Sequence, residues 1–459
     1  MNIVVLNGSP KGDLSVTLQY VRFAARKLPD HSFQIFHVAQ TIRKLEKDEK
    51  AFGDVMDAVK KADAVWWSFP LYFLIVCSQY KRFIELIFER GQEAAFAGKF
   101  TLSLSTSVHF FDHTAHNYIH GICDDLQMKY LGAYSAAMYD LMKKQERKRW
   151  IAFAGNFADA AARRIPTVRA YPPVAASPFA YQPAAPAAGI DTAGKRVLIL
   201  KDGQPPTGNT DALVQSLAGH FRGGAEIINL TDIDIKGGCL GCCKCGLSNR
   251  CDYEGKDGYI DFYNEKVKKA DIVVFAGAIH DRYLSSRWKM YFDRSFFNTH
   301  MPTLGGKQIA FLISGPLGQL PNLRQILEAY SETQEANLAG IVTDEAADSP
   351  EIDRLLQELA GALVRSAVQG YIHATTFFGV GGRKIFRDEV YGMLRFVFQA
   401  DYRYYRKHGF FDFPQKNYKA RRMNALMMFL TKLPPFRKKF LKILKEQMVK
   451  PIKFIAENR

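Results

Sequence analysis

Ile3-Val4-Val5-Leu6-Asn7-Gly8-Ser9-Pro10-Lys11-Gly12-Asp13-Leu14-Ser15-Val16-Thr17 places four apolar residues, a Gly/Ser/Pro loop and the start of an amphipathic stretch in direct succession. A short apolar run bounded by turn residues reads as a buried strand, and the amphipathic stretch after it as a helix. Strand, Gly/Ser/Thr loop and helix in that order are how an α/β sheet holds a phosphate. Backbone N–H groups, hydroxyls and the helix N-terminus all point at the anion. Lys11 adds a positive charge to the loop. An ordinary turn with an N-cap has the same composition, so the reading depends on the residues beyond Thr17.

Those residues repeat the alternation. Ser32-Phe33-Gln34-Ile35-Phe36-His37-Val38 reads as a second strand. Ala62 to Phe73 reads as a third strand ending in a Pro/aromatic loop, with a helix from Gln79 to Phe88 behind it. A fourth strand from Phe100 to Leu104 ends at Ser105-Thr106-Ser107. Strands alternating with helices predict an α/β fold with a parallel, doubly wound sheet. The loops after strands one, three and four then meet at the carboxyl edge, where a ligand lies.

Between about Arg164 and Gly194 the text turns to Pro and Ala with few charges, a semi-extended linker. A second copy of the architecture begins behind it. Arg196-Val197-Leu198-Ile199-Leu200 enters Lys201-Asp202-Gly203-Gln204-Pro205-Pro206-Thr207-Gly208-Asn209-Thr210, and Ala225 to Leu230 is its second strand. Ala270 to Phe275 leads to His280-Asp281-Arg282-Tyr283-Leu284-Ser285-Ser286, and Gln308 to Ile313 ends at Ser314-Gly315-Pro316. The chain is thus a tandem repeat of one fold. The predicted divisions are 1–163, a linker 164–194, a second α/β domain 195–370 and an extension 371–459.

One feature breaks the symmetry. Gly238-Cys239-Leu240-Gly241-Cys242-Cys243-Lys244-Cys245-Gly246-Leu247-Ser248-Asn249-Arg250-Cys251 holds five of the seven cysteines, four of them spaced C-x2-C-x2-C-x5-C. Thiolates at such intervals, with glycines between, let a backbone wrap a cube-shaped [4Fe-4S] cluster through Cys239, Cys242, Cys245 and Cys251. Structural zinc usually takes two C-x2-C pairs held further apart. A redox disulfide and a metal-free cysteine loop stand beside these readings. The matching stretch of the first repeat, Val38 to Asp48, has no cysteine. This predicts that the first repeat covers the second as half of a fused pseudo-dimer.

Gly8-Ser9-Pro10 with Ser15 and Thr17, Ala62-Asp63-Ala64 leading to Pro70-Leu71-Tyr72, and Lys81-Arg82-Phe83-Ile84 together resemble the flavodoxin-like NAD(P)H-dependent FMN reductases. The resemblance implies that Ser9, Lys11, Ser15 and Thr17 hold the FMN phosphate. It implies that Pro70, Leu71, Tyr72 and Phe73, with Ser105, Thr106 and Ser107, border the flavin ring. Core packing or a subunit contact is the other reading of that aromatic loop. The second repeat resembles the iron-sulfur flavoprotein branch, which implies a [4Fe-4S] cluster beside FMN. Thr207, Asn209, Thr210, His280, Arg282, Tyr283, Ser314 and Gly315 would line its flavin site. Asp202 departs from the pattern, since a carboxylate beside a phosphate is unfavourable unless it points away. His280 reads more readily as a surface or loop-stabilising residue, and Arg282 either stabilises reduced, anionic FMN or is simply solvated. NAD(P)H would be the co-substrate, with a redox protein or a small molecule as acceptor. A homo-oligomer is compatible with such a fold.

Composition bounds the rest. With 47% hydrophobic and 24% charged residues, the 459-residue chain is globular. No Ser-His-Asp or paired-carboxylate constellation stands out, which leaves the chemistry to cofactors. The opening strand lacks a basic leader and no apolar run is long enough for a bilayer, so the expected location is cytoplasmic. From Asp401 to Arg459 sixteen Lys/Arg face four Asp/Glu, so most of the +16 net charge lies in the tail. Such a basic amphipathic tail suits the inner face of a membrane or a partner, or packs onto the body; no nucleic-acid motif accompanies it. Gly379-Val380-Gly381-Gly382 reads as a turn.

Overall fold

The computed structural model describes residues 1–175, 178–185, 189–203 and 208–458. The first repeat runs β1 (Asn2–Asn7), α1 (Val16–Lys27), β2 (Ser32–Phe36), α2 (Ile42–Lys47), α3 (Glu49–Lys61), β3 (Ala64–Pro70), α4 (Ser78–Glu89), β4 (Phe100–Ser107), α5 (Asp112–Asp125), β5 (Lys129–Ala137) and α6 (Lys144–Ala162). Its strands are all parallel, in the order β2-β1-β3-β4-β5. The second repeat runs β6 (Ile190–Asp191), β7 (Val197–Lys201), α7 (Asn209–Gly219), β8 (Phe221–Arg222), β9 (Glu226–Asn229), α8 (Cys245–Ser248), α9 (Tyr259–Phe262), β10 (Ile272–His280), β11 (Tyr283–Leu284), α10 (Ser286–Ser295), β12 (Gln308–Ser314), α11 (Pro321–Thr333), β13 (Asn337–Thr343) and α12 (Ser349–Gln369). The order β9-β7-β10-β12-β13 reproduces the first sheet's winding, with β11 folded back on the end of β10. Four helices complete the chain: α13 (Phe377–Tyr391), α14 (Gln399–Lys407), α15 (Tyr418–Leu430) and α16 (Pro434–Asn458). The chain divides into two compact units, Met1–Arg403 and Tyr404–Arg459.

Central strands buried on both faces need apolar residues at every position, and β3 shows why the helices lie on both sides. Trp66 points to one face, edge-on to Trp150 and Phe157, while Trp67 points to the other and stacks on Phe96. The Trp67 side belongs to a core that continues into the second repeat through Trp288, Phe292 and Tyr330. The two repeats therefore share one hydrophobic core.

The seam between them is built from α4 and α10, whose sequences match at Ser78/Ser286, Lys81/Lys289 and Glu85/Asp293. Each helix donates its first free N–H to the other repeat. Ser286 gives its backbone N–H and its hydroxyl to Glu85, both at 2.5 Å, and Ser78 N donates to Asp293 at 2.7 Å. A carboxylate at a helix N-terminus satisfies an orphan donor and meets the positive end of the dipole. Each carboxylate also pairs with the lysine one turn before it, Lys81 with Glu85 at 3.1 Å and Lys289 with Asp293, and both lysines are fully buried. Burial pushes the Glu85 carboxyl up, yet Lys81 and Ser286 outweigh it and hold it below its ordinary value. The reciprocity is that of a two-fold dimer interface, here within one chain.

Two expectations are corrected. Gly379 to Gly382 is no turn but lies inside α13. A Cβ on Gly382 would meet the Phe110 ring at 2.6 Å, and one on Gly379 would meet Glu332 at 3.1 Å, so these glycines permit close helix packing. The Pro/Ala stretch has no helix over its described residues, as expected, yet it is tied down and does not act as a free spacer. Ala170 N and Tyr171 N donate to Asp124, and Tyr181 is buried. Pro186 lies outside the described residues.

Removing one member of a buried ion pair leaves an unpaired charge, a loss of about 3–5 kcal/mol. Lys289→Met is expected to lower the urea midpoint by that equivalent. The double variant Lys289→Met/Asp293→Leu should recover only part of it, because Ser78 N then loses its acceptor, as read by denaturation monitored through tryptophan fluorescence.

Candidate functional site

The loops after β1, β3 and β4 meet at the carboxyl edge of the first sheet. Asn7, the last residue of β1, shapes the first loop: its side chain accepts from Ser9 N and donates to Gly12 O, each at 3.3 Å. Gly8 is required because a Cβ there would enter the Tyr80 ring. Ser9 is buried and accepts from Lys11 N, Ser15 caps α1 by accepting from Leu18 N, and Thr17 meets Thr106 hydroxyl to hydroxyl at 2.6 Å. Leu71 N donates to Thr106 O, which ties the second loop to the third. The four phosphate-loop candidates and the β4 residues thus gather at one edge. Phe73 does not join them; it stacks on Phe292 and stands edge-on to Tyr330, inside the seam between repeats.

A hydrogen-bonded chain runs inward from this edge, and sequence reading missed it. His109 Nδ1 lies 2.8 Å from Asp112, which accepts from the Ser135 hydroxyl at 2.5 Å. Ser135 reaches Ser105 at 3.3 Å, and His116 bridges Ser105 and Ser103 at 2.8 and 2.7 Å. Ser107 accepts from His109 N, and both His109 and Phe111 have left-handed backbone, φ 63° and 56°. Non-glycine residues in that region are costly and concentrate at functional loops. The hydrogen bond to Asp112 raises His109, with Asp140 and Glu389 adding to it. Asp112 is pushed up by partial burial but is held well below the carboxylate range by His109 and Ser135. Burial lowers His116 to about 4, so it is a neutral hydrogen-bond bridge. The sequence signal was the His/Asp/His spacing 109, 112, 116 across a loop-to-helix junction.

The wall of this edge comes from the second repeat. A Cβ on Gly241 would overlap the Tyr72 hydroxyl and lie 3.3 Å from Lys11 Cε, and Gly241 has φ +63°, so the cysteine loop rests directly on the first repeat's loops. Gln79 Nε2 donates to Cys239 O at 3.0 Å. The Tyr72 hydroxyl is buried without a partner among the described residues. Cys239, Cys242, Cys243, Cys245 and Cys251 line one cavity with Arg294. Arg294 pairs with Asp257 at 2.7 Å, while its Nε is buried without a partner among the described residues. Burial pushes the Cys239 thiol up to about 12 and raises Cys243 and Cys245. Among the described residues no three His, Cys, Asp or Glu side chains come close enough together to hold a single metal ion. The cysteines surround a space and do not converge on a point.

The equivalent edge of the second repeat is differently occupied. Thr207 lies outside the described residues. Asn209 is spent on Phe179 O, Tyr181 N and Asp344, so the interrepeat strap lies across it. Ser314 and Gly315 N both donate to Asp344, and Thr210 has a buried hydroxyl without a partner among the described residues. Lys201 is paired with Asp211, and Asp202, raised by burial, accepts from Ser285. Three carboxylates here are a poor seat for a phosphate. His280 is exposed. Arg282 is not solvated: it grips Asp125 through two bonds of 2.5 and 2.7 Å and donates to Pro172 O. Tyr283 is likewise buried in the seam, edge-on to Tyr118.

Because His109 is raised and Asp112 lowered in the fold, their pair stabilises the protein fully between pH about 4 and about 6.5; the contribution fades as pH rises through the folded value of His109 and again as pH falls through that of Asp112. Asp112→Asn is expected to move the His109 midpoint down, measured by NMR titration of its imidazole.

The family described as NADPH-dependent FMN reductase matches the chain twice, over residues 1–140 and 196–346. No curated protein matches it. Among solved structures it is similar to an apo NADH:FMN oxidoreductase (EMOB), at 18% identity over 35% of this chain and 89% of that one, TM-score 0.31. The flavoenzyme NAD(P)H:(acceptor) oxidoreductase FerB from Paracoccus denitrificans is 16% identical over 35% of this chain and 97% of that one, TM-score 0.30. A flavodoxin, WrbA-like protein from Agrobacterium tumefaciens is 15% identical over 36% and 99%, TM-score 0.29. With two matched copies spanning more than half of its length, the chain belongs to the NADPH-dependent FMN reductase family and is a tandem, flavodoxin-like NAD(P)H-dependent oxidoreductase.

Proposed function

We propose that FMN binds at the first repeat's edge, that the cysteine loop of the second repeat holds a [4Fe-4S] cluster beside it, and that the enzyme passes electrons from NAD(P)H to a small-molecule or protein acceptor. The observation that carries this reading is the cysteine loop seated on Tyr72 and Lys11. Bound FMN supplies hydride chemistry with single-electron release, and a cluster supplies one-electron transfer.

The chain's own residues divide the work. Ser9, Ser15, Thr17 and Lys11 offer hydroxyls, a helix N-terminus and a charge to a phosphate. Gly241 lets the cysteine loop approach without displacing Tyr72. Cys239, Cys242, Cys245 and Cys251 ring one cavity, and the Nε of Arg294, unpartnered among the described residues, is a buried donor suited to an anionic sulfur. Metal is what would deprotonate thiols that burial otherwise keeps neutral. The second repeat's own edge, crowded by carboxylates, serves as scaffold. The second reading is a metal-free NAD(P)H:FMN or quinone reductase in which the loop only walls the flavin. The geometry that favours it is the lack of three close metal-ligating side chains among the described residues.

Anaerobically purified protein should contain flavin together with iron and acid-labile sulfide in equal amounts. Cys239→Ser/Cys245→Ser should lose the iron and keep the flavin. Flavin without iron or sulfide would leave the metal-free reductase. A hydrogen bond to a charged group is worth about 1.5–3 kcal/mol, so Thr17→Val should weaken FMN binding roughly tenfold or more by fluorescence titration. The matching Thr210→Val in the second repeat should leave it unchanged.

A further inference from the structure

The unit Tyr404–Arg459 plays no part in the site, and its surface is unusual. It carries fifteen Lys/Arg against three Asp/Glu. Its long helix α16 separates two faces. Leu441, Met448, Ile452 and Ile455 recur at i, i+7, i+11 and i+14, a single stripe, and each is more than half exposed. Lys438 and Lys445 border that stripe along one edge, and Lys439, Lys442, Lys450 and Lys453 occupy the arc turned away from it. On α15 Met428 and Phe429 are also more than half exposed, with Arg421 and Arg422 one to two turns earlier. Contiguous large apolar side chains left in water mark an interaction surface.

We infer that this unit docks the protein on an anionic lipid surface, with α16 lying in the plane of the interface. Three considerations select this occupant. No helix among the described residues is long and apolar enough to cross a membrane, so the helix lies on a bilayer and does not span it. An apolar stripe rimmed by lysines sinks into the acyl boundary while the long lysine stems carry their charges up to the headgroups. A nucleic acid would match the charge but leave the stripe in water. A second copy would cover the stripe but bring two strongly positive rims together. Only an anionic amphipathic surface satisfies both faces at once. The consequence is a reductase held where its acceptor can be lipid-dissolved or membrane-bound. Docking of this kind is independent of which cofactors the two repeats hold.

The test is flotation of the full-length holoprotein with vesicles of phosphatidylcholine alone or mixed with phosphatidylglycerol. Binding is expected to the mixed vesicles only, and high salt should reverse it. Each basic side chain at such a surface is worth about fivefold, so Lys438→Gln/Lys445→Gln should weaken partition by roughly 25-fold. Leu441→Gln/Met448→Gln/Ile452→Gln should abolish it. Unchanged flavin content shows that the body of each variant is folded. Absence of vesicle binding, equal binding to both vesicle types, or binding indifferent to these substitutions overturns the inference. So does self-association in sedimentation that the triple substitution removes while vesicles are ignored.

Discussion

A buried charge must find a partner, and here the partners sit in the opposite repeat. Glu85 and Asp293 each close the N-terminus of a helix from the other half while answering a lysine on their own. Neither repeat can bury this seam alone without stranding a carboxylate and a helix N–H group. The interaction therefore fixes the relative placement of the two sheets to within hydrogen-bond tolerance, and everything at the sheet edges inherits that precision.

The placement makes the two copies unequal. Locked by α4 and α10, the second repeat lays Gly238 to Cys243 across the loops after β1 and β3 of the first. The equivalent edge of the second repeat is not covered in the same way. On the other edge the interrepeat strap, Asp344 and the Lys201–Asp211 pair take up the polar groups that a phosphate would need. One repeat thus keeps its hydroxyls and Lys11, and the other contributes thiols.

Local chemistry made much of this legible. Strand and helix alternation, the Gly-Ser-Pro loop and the cysteine spacing all depend on residues near one another in the chain. They place Ser9, Ser15, Thr17 and Thr106 at one edge correctly. The seam positions of Phe73, Arg282 and Tyr283 were not legible for the opposite reason. They occupy loops where ligands commonly lie, but their partners, Phe292, Asp125 and Tyr118, come from the other repeat. His109 and Asp112 were overlooked because their significance lies in Ser135, a strand away.

From the amino-acid sequence alone came the doubly wound sheets, their duplication and the candidate groups for phosphate and iron. These arise from short-range periodicity and from side-chain types. Which edge stays open, which loop covers it and which polar groups are already spent were decided only by the tertiary structure. Those outcomes rest on contacts such as Glu85 with Ser286, 201 residues apart. No local pattern encodes such a pairing, because its energy exists only once both surfaces have left water.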